Sequence, residues 1–261
     1  MTTQVQFYEL VTPISVERHG EWSVETGIDY SFAAQANSVP VLAVEFAHAA
    51  GEYPIVFAGE GDTILPLAVL GLVDKQNLYV GEEGTWKGNY VPAFVRRYPF
   101  VFSTADDGET FTLCIDERYT GFNREGRGRR LFDVDGKGTD YLDRIVNFLK
   151  EYQAQYQRTR AYCQKLSELE LLEPMQAQMT VRSGQRLSMT GFMAVNREKL
   201  KGIEAQMLAE LAHTNELELT YLHLNSLNRF TNMARRTEGV QIAPSALEVV
   251  ADGAPVAEAD S

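Results

Sequence analysis

Cysteine is nearly missing from this chain: Cys114 and Cys163 are the only two in 261 residues. A secreted scaffold stapled by disulfides needs more, so both read as buried thiols, with a single Cys114–Cys163 bridge left open. Long apolar runs are also missing. The most apolar stretches, Val39 to Ala50 and Ile64 to Val73, fall short of the ~20 residues of a spanning helix. Glu45 and His48 interrupt the first of them, so no membrane span is expected. The start, Met1 to Glu9, has neither a basic beginning nor an apolar core, so no signal peptide and a cytoplasmic location are expected. Export to the cell surface would need a signal-independent route. Positive charge is in deficit, with 24 Lys and Arg against 36 Asp and Glu and a net charge of −12. Nucleic acid and anionic lipid both need a basic face, so neither is an expected partner. The acidity reads as a solubility feature.

Two catalytic anchors are absent as well. No Gly-x-Ser-x-Gly elbow occurs, which removes the usual basis for serine-hydrolase chemistry. The glycine-rich segment Gly121 to Arg130 has no Gly-Lys-Ser/Thr ending, so it is no P-loop.

What is present is ordinary for a globular chain, with 44% hydrophobic and 23% charged residues. Residues 1–240 are expected to form one α+β domain, and 241–261 a flexible acidic tail. The N-terminal half reads mainly as antiparallel strands. Phe100–Ser103 and Thr110–Ile115 are predicted to form a hairpin through the turn residues Asp106-Asp107-Gly108. In the second strand, Phe111, Leu113 and Ile115 alternate with Thr110, Thr112 and Cys114, which predicts one apolar face. The pattern Tyr53-Pro-Ile-Val-Phe57 recurs as Tyr98-Pro-Phe-Val-Phe102. Each copy follows a short helix-compatible segment (Glu45–Ala50 and Pro92–Arg97) and precedes a turn and another strand, so two similar units are expected.

After a charged loop at Gly121–Gly138, a long helix is predicted over about Thr139 to Leu171. Its buried stripe is Tyr141, Ile145, Phe148, Tyr152, Tyr156, Thr159, Cys163, Leu166 and Leu169. Met179–Met189 reads as a second hairpin, pairing Val181 with Leu187 and Met179 with Met189 around Ser183–Gln185. Two helices are expected to close the fold, Glu204–Thr214 and Glu216–Arg236. The second carries an apolar stripe of Leu217, Tyr221, Leu224, Leu227 and Phe230. The long central helix and these C-terminal helices are expected to pack the strands.

Several motifs suggest sites, each with a plainer alternative. Glu45-x-x-His48 and Glu210-x-x-His213 match the i, i+3 carboxylate–histidine pair of di-iron bundle proteins. With 36 acidic residues, however, such matches arise easily by accident. Asp133-Val-Asp135-Gly136-x-x-x-Asp140 resembles part of a calcium loop but lacks the third spaced ligand and the closing glutamate, and a turn into the helix cap explains it as well. Gly59-Glu-Gly61 lacks the third glycine of a dinucleotide fingerprint. Arg124, Arg127, Arg129 and Arg130 could hold an anion or an acidic partner, against the reading of a solvated loop. His223 and Ser226 lie one helical turn apart and read as packing residues. The four-residue recurrence of Trp86, Tyr90, Phe94 and Tyr98 reads as core rather than as an aromatic ligand cradle. No cofactor is expected.

Taken in order along the chain, the runs Asn37–Phe46, Tyr53–Phe57, Gln76–Val80, Tyr90–Phe100 and Cys114–Glu117 resemble the SapC family of bacterial proteins. Leu131–Gly136, Gly191–Phe192 and Tyr221–Leu227 continue the resemblance, which spans about residues 5–236. It implies a link to paracrystalline surface arrays, for which the family is named, and an accessory role, which the systems its members are encoded near suggest. It also implies proximity to tryptophan-halogenase-like, cupin-like and TonB-dependent receptor systems. No catalytic residue set comes with it. The peptide-transporter permease that shares the name is excluded by the missing spans. The leading expectation is a non-enzymatic accessory protein with protein partners. The alternative is a cytoplasmic enzyme or small-ligand-binding protein working with those neighbouring systems.

Overall fold

The computed structural model describes residues 6–104, 111–180, 186–236 and 247–251. The chain is α+β, as the alternation of strand-like and helix-like periodicities predicts. In chain order come β1 (Val11–Pro13), α1 (Val16–His19), β2 (Ser23–Val24), β3 (Ser38–Pro40), α2 (Phe46–Ala49), β4 (Ile55–Ala58), β5 (Leu65–Val69) and α3 (Ala93–Arg96). Next follow β6 (Phe100–Thr104), β7 (Phe111–Asp116), β8 (Phe122–Asn123), β9 (Arg129–Arg130) and the long α4 (Asp140–Glu168). The remaining elements are β10 (Leu172–Thr180), β11 (Arg186–Val195), α5 (Arg197–Gly202), α6 (Ala205–His213), α7 (Glu216–Ser226), α8 (Arg229–Arg236) and β12 (Leu247–Ala251). Backbone contacts divide them into two compact units.

The first unit comprises residues 1–34, 80–87 and 93–155. It holds two three-stranded sheets, ordered β1-β7-β6 and β8-β2-β9. Its interior is aromatic. Phe32 stacks on Tyr98 with centroids 4.1 Å apart, and Tyr119 meets Tyr98 edge-on at 5.3 Å. The buried Arg97 guanidinium lies 4.2 Å from the Phe94 ring centre and 4.9 Å from that of Tyr152, so π faces help to solvate its charge.

The polar fastener of this unit is Asp116, which is fully buried. Its carboxylate accepts the backbone N–H of Glu9 (2.9 Å), Leu10 (3.0 Å) and Arg118 (3.0 Å) and the Tyr98 hydroxyl (3.2 Å). Four donors on one carboxylate offset the cost of burying its charge and tie the N-terminal segment to the end of β7. Burial, with the Asp116 charge adding to it, pushes the Tyr98 phenol well above its ordinary pKa. Directly after it, the Glu117 carboxylate accepts from Arg18 and from the buried His19, and the Arg18 contact holds its pKa below the usual range.

The second unit comprises residues 35–79, 88–92 and 156–261. Its six-stranded sheet runs β12-β10-β11-β4-β5-β3, with every pairing antiparallel. α7 packs against β4, β11 and α2. The largest buried side chains here include Tyr53, Phe46, Phe57, Tyr162 and Phe230.

The β6–β7 hairpin forms as predicted, with Phe100↔Ile115 through Thr104↔Phe111 in register, while the turn residues lie outside the described set. Among the described residues, a helix–strand–strand order recurs as α2-β4-β5 in one unit and α3-β6-β7 in the other. Several expectations need correction. β7 does not bury alternate residues: Phe111 is exposed, whereas Cys114, Ile115 and Asp116 are all buried. One end of the strand is covered on both faces and the other projects, so depth along the strand overrides the face pattern. In β10–β11, Met179 pairs with Leu187 and Ala177 with Met189, a register two residues away from the expected one. A two-residue shift keeps every side chain on its face, so alternation cannot distinguish the two registers. The last helix is two, α7 and α8, separated at Leu227-Asn228. The segment Gly121–Gly138 is not all loop, since β8 and β9 pair with β2. Within the expected tail, Leu247–Ala251 pairs with β10 as β12. A β-branched run next to a free strand edge has backbone bonds to gain there. Both cysteines are free and buried, and burial pushes the Cys163 thiol up to about 12.

Replacing Asp116 with alanine orphans four donors, and each buried orphan costs ~1–3 kcal/mol. The expected outcome is a loss of about 3 kcal/mol or more in urea unfolding at pH 7, with faster hydrogen exchange at Glu9 and Leu10. Unchanged exchange at those two amides would show that the carboxylate is not the anchor.

Candidate functional site

His223 and Ser226 sit on α7 because the spacing i, i+3 brings both to one helix face. Both are fully buried. β11 and β4 pair at Met193↔Phe57, and the imidazole occupies the next position along, between the two strands. Its Nε2 accepts the Val195 N–H at 3.0 Å, and its Nδ1–H donates to the Ile55 carbonyl at 2.8 Å. Those two bonds select the Nδ1–H tautomer. The Ser226 hydroxyl accepts the Ile55 N–H at 2.9 Å and donates to the His223 carbonyl at 2.6 Å. Burial lowers the His223 pKa to about 4, against which the Ile55 contact acts weakly. A neutral ring with both nitrogens bonded inside the fold has no lone pair or proton to offer a substrate. The packing role expected for these residues is what the geometry shows, with a polar mechanism.

This also explains a missed helix face. The buried residues of α7 include Thr220, His223, Leu224 and Ser226, while Tyr221 is exposed. Thr220 bonds the Tyr162 hydroxyl at 2.9 Å. The helix is rotated toward its hydrogen-bonding residues, which an apolar stripe does not register.

The Glu45–His48 pair is split by burial. Glu45 is buried, and its carboxylate accepts the Leu42 N–H at 2.8 Å and the Tyr90 hydroxyl at 2.6 Å. His48 is exposed and stacks on the Tyr90 ring at 5.4 Å. Tyr90 therefore joins the two, and its carbonyl accepts the Tyr53 hydroxyl. Glu210 and His213 lie on α6, where Glu210 shares Lys165 with Glu216 at 3.1 and 2.7 Å. Those contacts, with Glu216 the stronger, raise the Lys165 pKa. Among the described residues, no group of three or more metal-ligating side chains converges.

The four arginines of the charged loop are all exposed. Arg127 faces Glu125 at 3.3 Å and Glu25 at 3.7 Å, and Arg130 donates to the Gly20 carbonyl at 3.3 Å. Arg129 and Arg130 are neighbours in β9, so their side chains leave opposite faces of the ribbon. The Asp133 carboxylate accepts the N–H groups of Asp135 (2.9 Å) and Lys137 (2.8 Å), which closes a turn. The aromatic series is no helical stripe, because the helix there covers only Ala93–Arg96. Phe94 and Tyr98 are core residues.

A cavity opens in the second unit. It measures about 220 Å³ and is lined by Gly61, Asp62, Ile64, Gln157, Arg160 and neighbours on α4. Gly59 shapes the loop above it: at φ +114° a Cβ would lie 2.5 Å from the Thr63 carbonyl oxygen, so only glycine fits. Arg160 donates to the Asp62 carbonyl at 3.3 Å, which braces the helix against the loop. Gly59-Glu-Gly61 lacks the glycine pattern of a nucleotide fingerprint, and no local sequence pattern marks Arg160 or Gln157.

A family model described as SapC matches residues 14–233. The chain belongs to the SapC family. No curated protein and no solved structure gives a match. The SapC-like runs contain Glu45, Asp116, Glu117, Asp133, His223 and Ser226, each of which satisfies a backbone group or a neighbouring polar side chain. These six residues act as polar fasteners within their own units. No helix among the described residues is long and apolar enough to cross a membrane.

Between pH 6.5, the ordinary histidine value, and about 4, the unfolded chain binds a proton at His223 that the folded chain refuses. Stability is therefore full above pH 6.5 and declines as pH falls through that window, by about 3 kcal/mol in total. His223→Leu is expected to cost about 2–4 kcal/mol at pH 7 by orphaning two backbone groups, and to flatten that decline. Urea titrations at stepped pH check both, and an unaltered pH profile in the variant would remove the bridge assignment.

Proposed function

We propose that this SapC-family protein is a non-enzymatic accessory protein that works through protein contacts in association with a bacterial surface layer. The supporting observation is the state of its candidate reactive groups. His223, Ser226, Glu45 and Asp116 are all buried, and each has its polar atoms bonded within the fold. A general base or nucleophile needs a reachable proton or lone pair. These residues instead hold strands, turns and a helix together. The surface-layer link comes from the family resemblance alone.

A second reading has one observation in its favour. The cavity beside Arg160 combines a guanidinium, two side-chain amides and an apolar wall from Ile64. That lining suits a small polar or anionic ligand, as expected for a partner of halogenase-like or receptor-linked systems.

Cell fractionation with immunodetection tests the first reading, and a pool in the cell envelope is the expected result. A strictly cytosolic pool would remove the surface-layer association. Elemental analysis of purified protein for iron, zinc and calcium is expected to find no stoichiometric metal. One equivalent of metal, lost in Glu45→Ala or Glu210→Ala, would restore the enzyme alternative.

A further inference from the structure

The cavity beside α4 is walled by two opposite charges that do not pair with each other. Arg160 and Asp62 both line it, yet Arg160 donates to the Asp62 backbone carbonyl at 3.3 Å and not to its carboxylate. Among the described residues, no ion pair engages either side chain. Gln157, Arg160, Ala161 and Gln164 are spaced i, i+3, i+4 and i+7, so α4 turns a single face to the loop that carries Asp62. Ala161, in the middle of that face, adds only a methyl group to the wall. Gln164 donates an amide N–H to Glu168 at 2.8 Å, and its carbonyl oxygen remains an acceptor. Ile64 is buried and supplies the apolar side. At about 220 Å³ the space is smaller than the ~300–1,000 Å³ of drug-sized sites.

Resting on the small-ligand reading of this cavity and deepening it, we propose that the cavity binds a free α-amino acid with an apolar side chain. Arg160 takes the carboxylate, Asp62 takes the ammonium and Ile64 receives the side chain. A guanidinium matches a carboxylate through two parallel N–H bonds, and the bond to the Asp62 carbonyl occupies one of its five donors. An exposed guanidinium and carboxylate gain little from each other, so the ligand has no strong pair to break. The charge of the whole chain favours a zwitterion over a plain anion. At −12, the protein's field repels an anion on approach, whereas a zwitterion has no net charge for that field to act on. A plain cation meets Arg160 as a like charge. A ligand that carries both charges satisfies both walls.

The test titrates the full-length chain by isothermal calorimetry with L-leucine, with leucinamide, which lacks the carboxylate, and with N-acetyl-leucine, which lacks the ammonium. Leucine is expected to bind at one site per chain. Each capped form is expected to bind at least ~10-fold more weakly, because it loses a charge-assisted contact. Arg160→Gln is expected to weaken leucine by at least ~10-fold and to leave the weak binding of leucinamide unchanged. Asp62→Asn does the converse, sparing N-acetyl-leucine. Ala161→Phe fills the hollow and is expected to abolish binding. All three positions are exposed, so melting temperatures close to that of the unmodified chain are expected. Leucine binding that persists in Ala161→Phe puts the ligand elsewhere and overturns the proposal. N-acetyl-leucine bound as tightly as leucine also overturns it, while keeping the small-ligand reading with a plain anion as ligand. If none of the three compounds binds at millimolar concentration, the proposal and the small-ligand reading both fall. If a variant does not fold, the comparison of capped and uncapped leucine on the unmodified chain decides by itself.

Discussion

A neutral imidazole takes the place of a backbone ladder in this protein. Beyond Met193↔Phe57 the strands β11 and β4 do not continue their pairing. His223 spans them instead, taking a proton from Val195 and giving one to Ile55. The arrangement fixes three elements at once, because the ring belongs to α7. Ser226 adds the second bond to Ile55, so both polar backbone groups of that residue are satisfied by one helix. An apolar residue there would leave two backbone groups in a dry interior with nothing to bond, which is why a polar side chain at the centre of the unit stabilises it.

The first unit follows the same logic with a charge instead of a ring. Asp116 gathers four donors around one buried carboxylate, amid aromatic side chains that exclude water. Glu117 and Asp133 do comparable work closer to the surface, and the buried Glu45 does it in the second unit. Polar residues in SapC-like runs invite a catalytic reading, yet these groups face inward or onto their own turns.

Some of this was open to a sequence reader. The β6–β7 hairpin follows from two β-rich runs around an Asp-Asp-Gly turn, and α4 follows from a stripe at threes and fours. The cavity at Gly59 and Arg160 was not legible. It depends on a strand turn meeting a helix roughly one hundred positions later, and no local pattern records such a meeting. Tyr90 was equally hidden, because its link between Glu45 and His48 exists only once the segment 88–92 packs against residues from 45 to 53.

The sequence by itself determined the class of the fold, its long helix, the recurring helix–strand–strand order and the family, since each depends on local spacing of side chains. Tertiary structure decided the register of β10 and β11, the rotation of α7 and the pairing of β12. Local periodicity is blind to those choices: a two-residue slip preserves every face, and hydrogen bonds to distant strands can turn a helix against its apolar stripe.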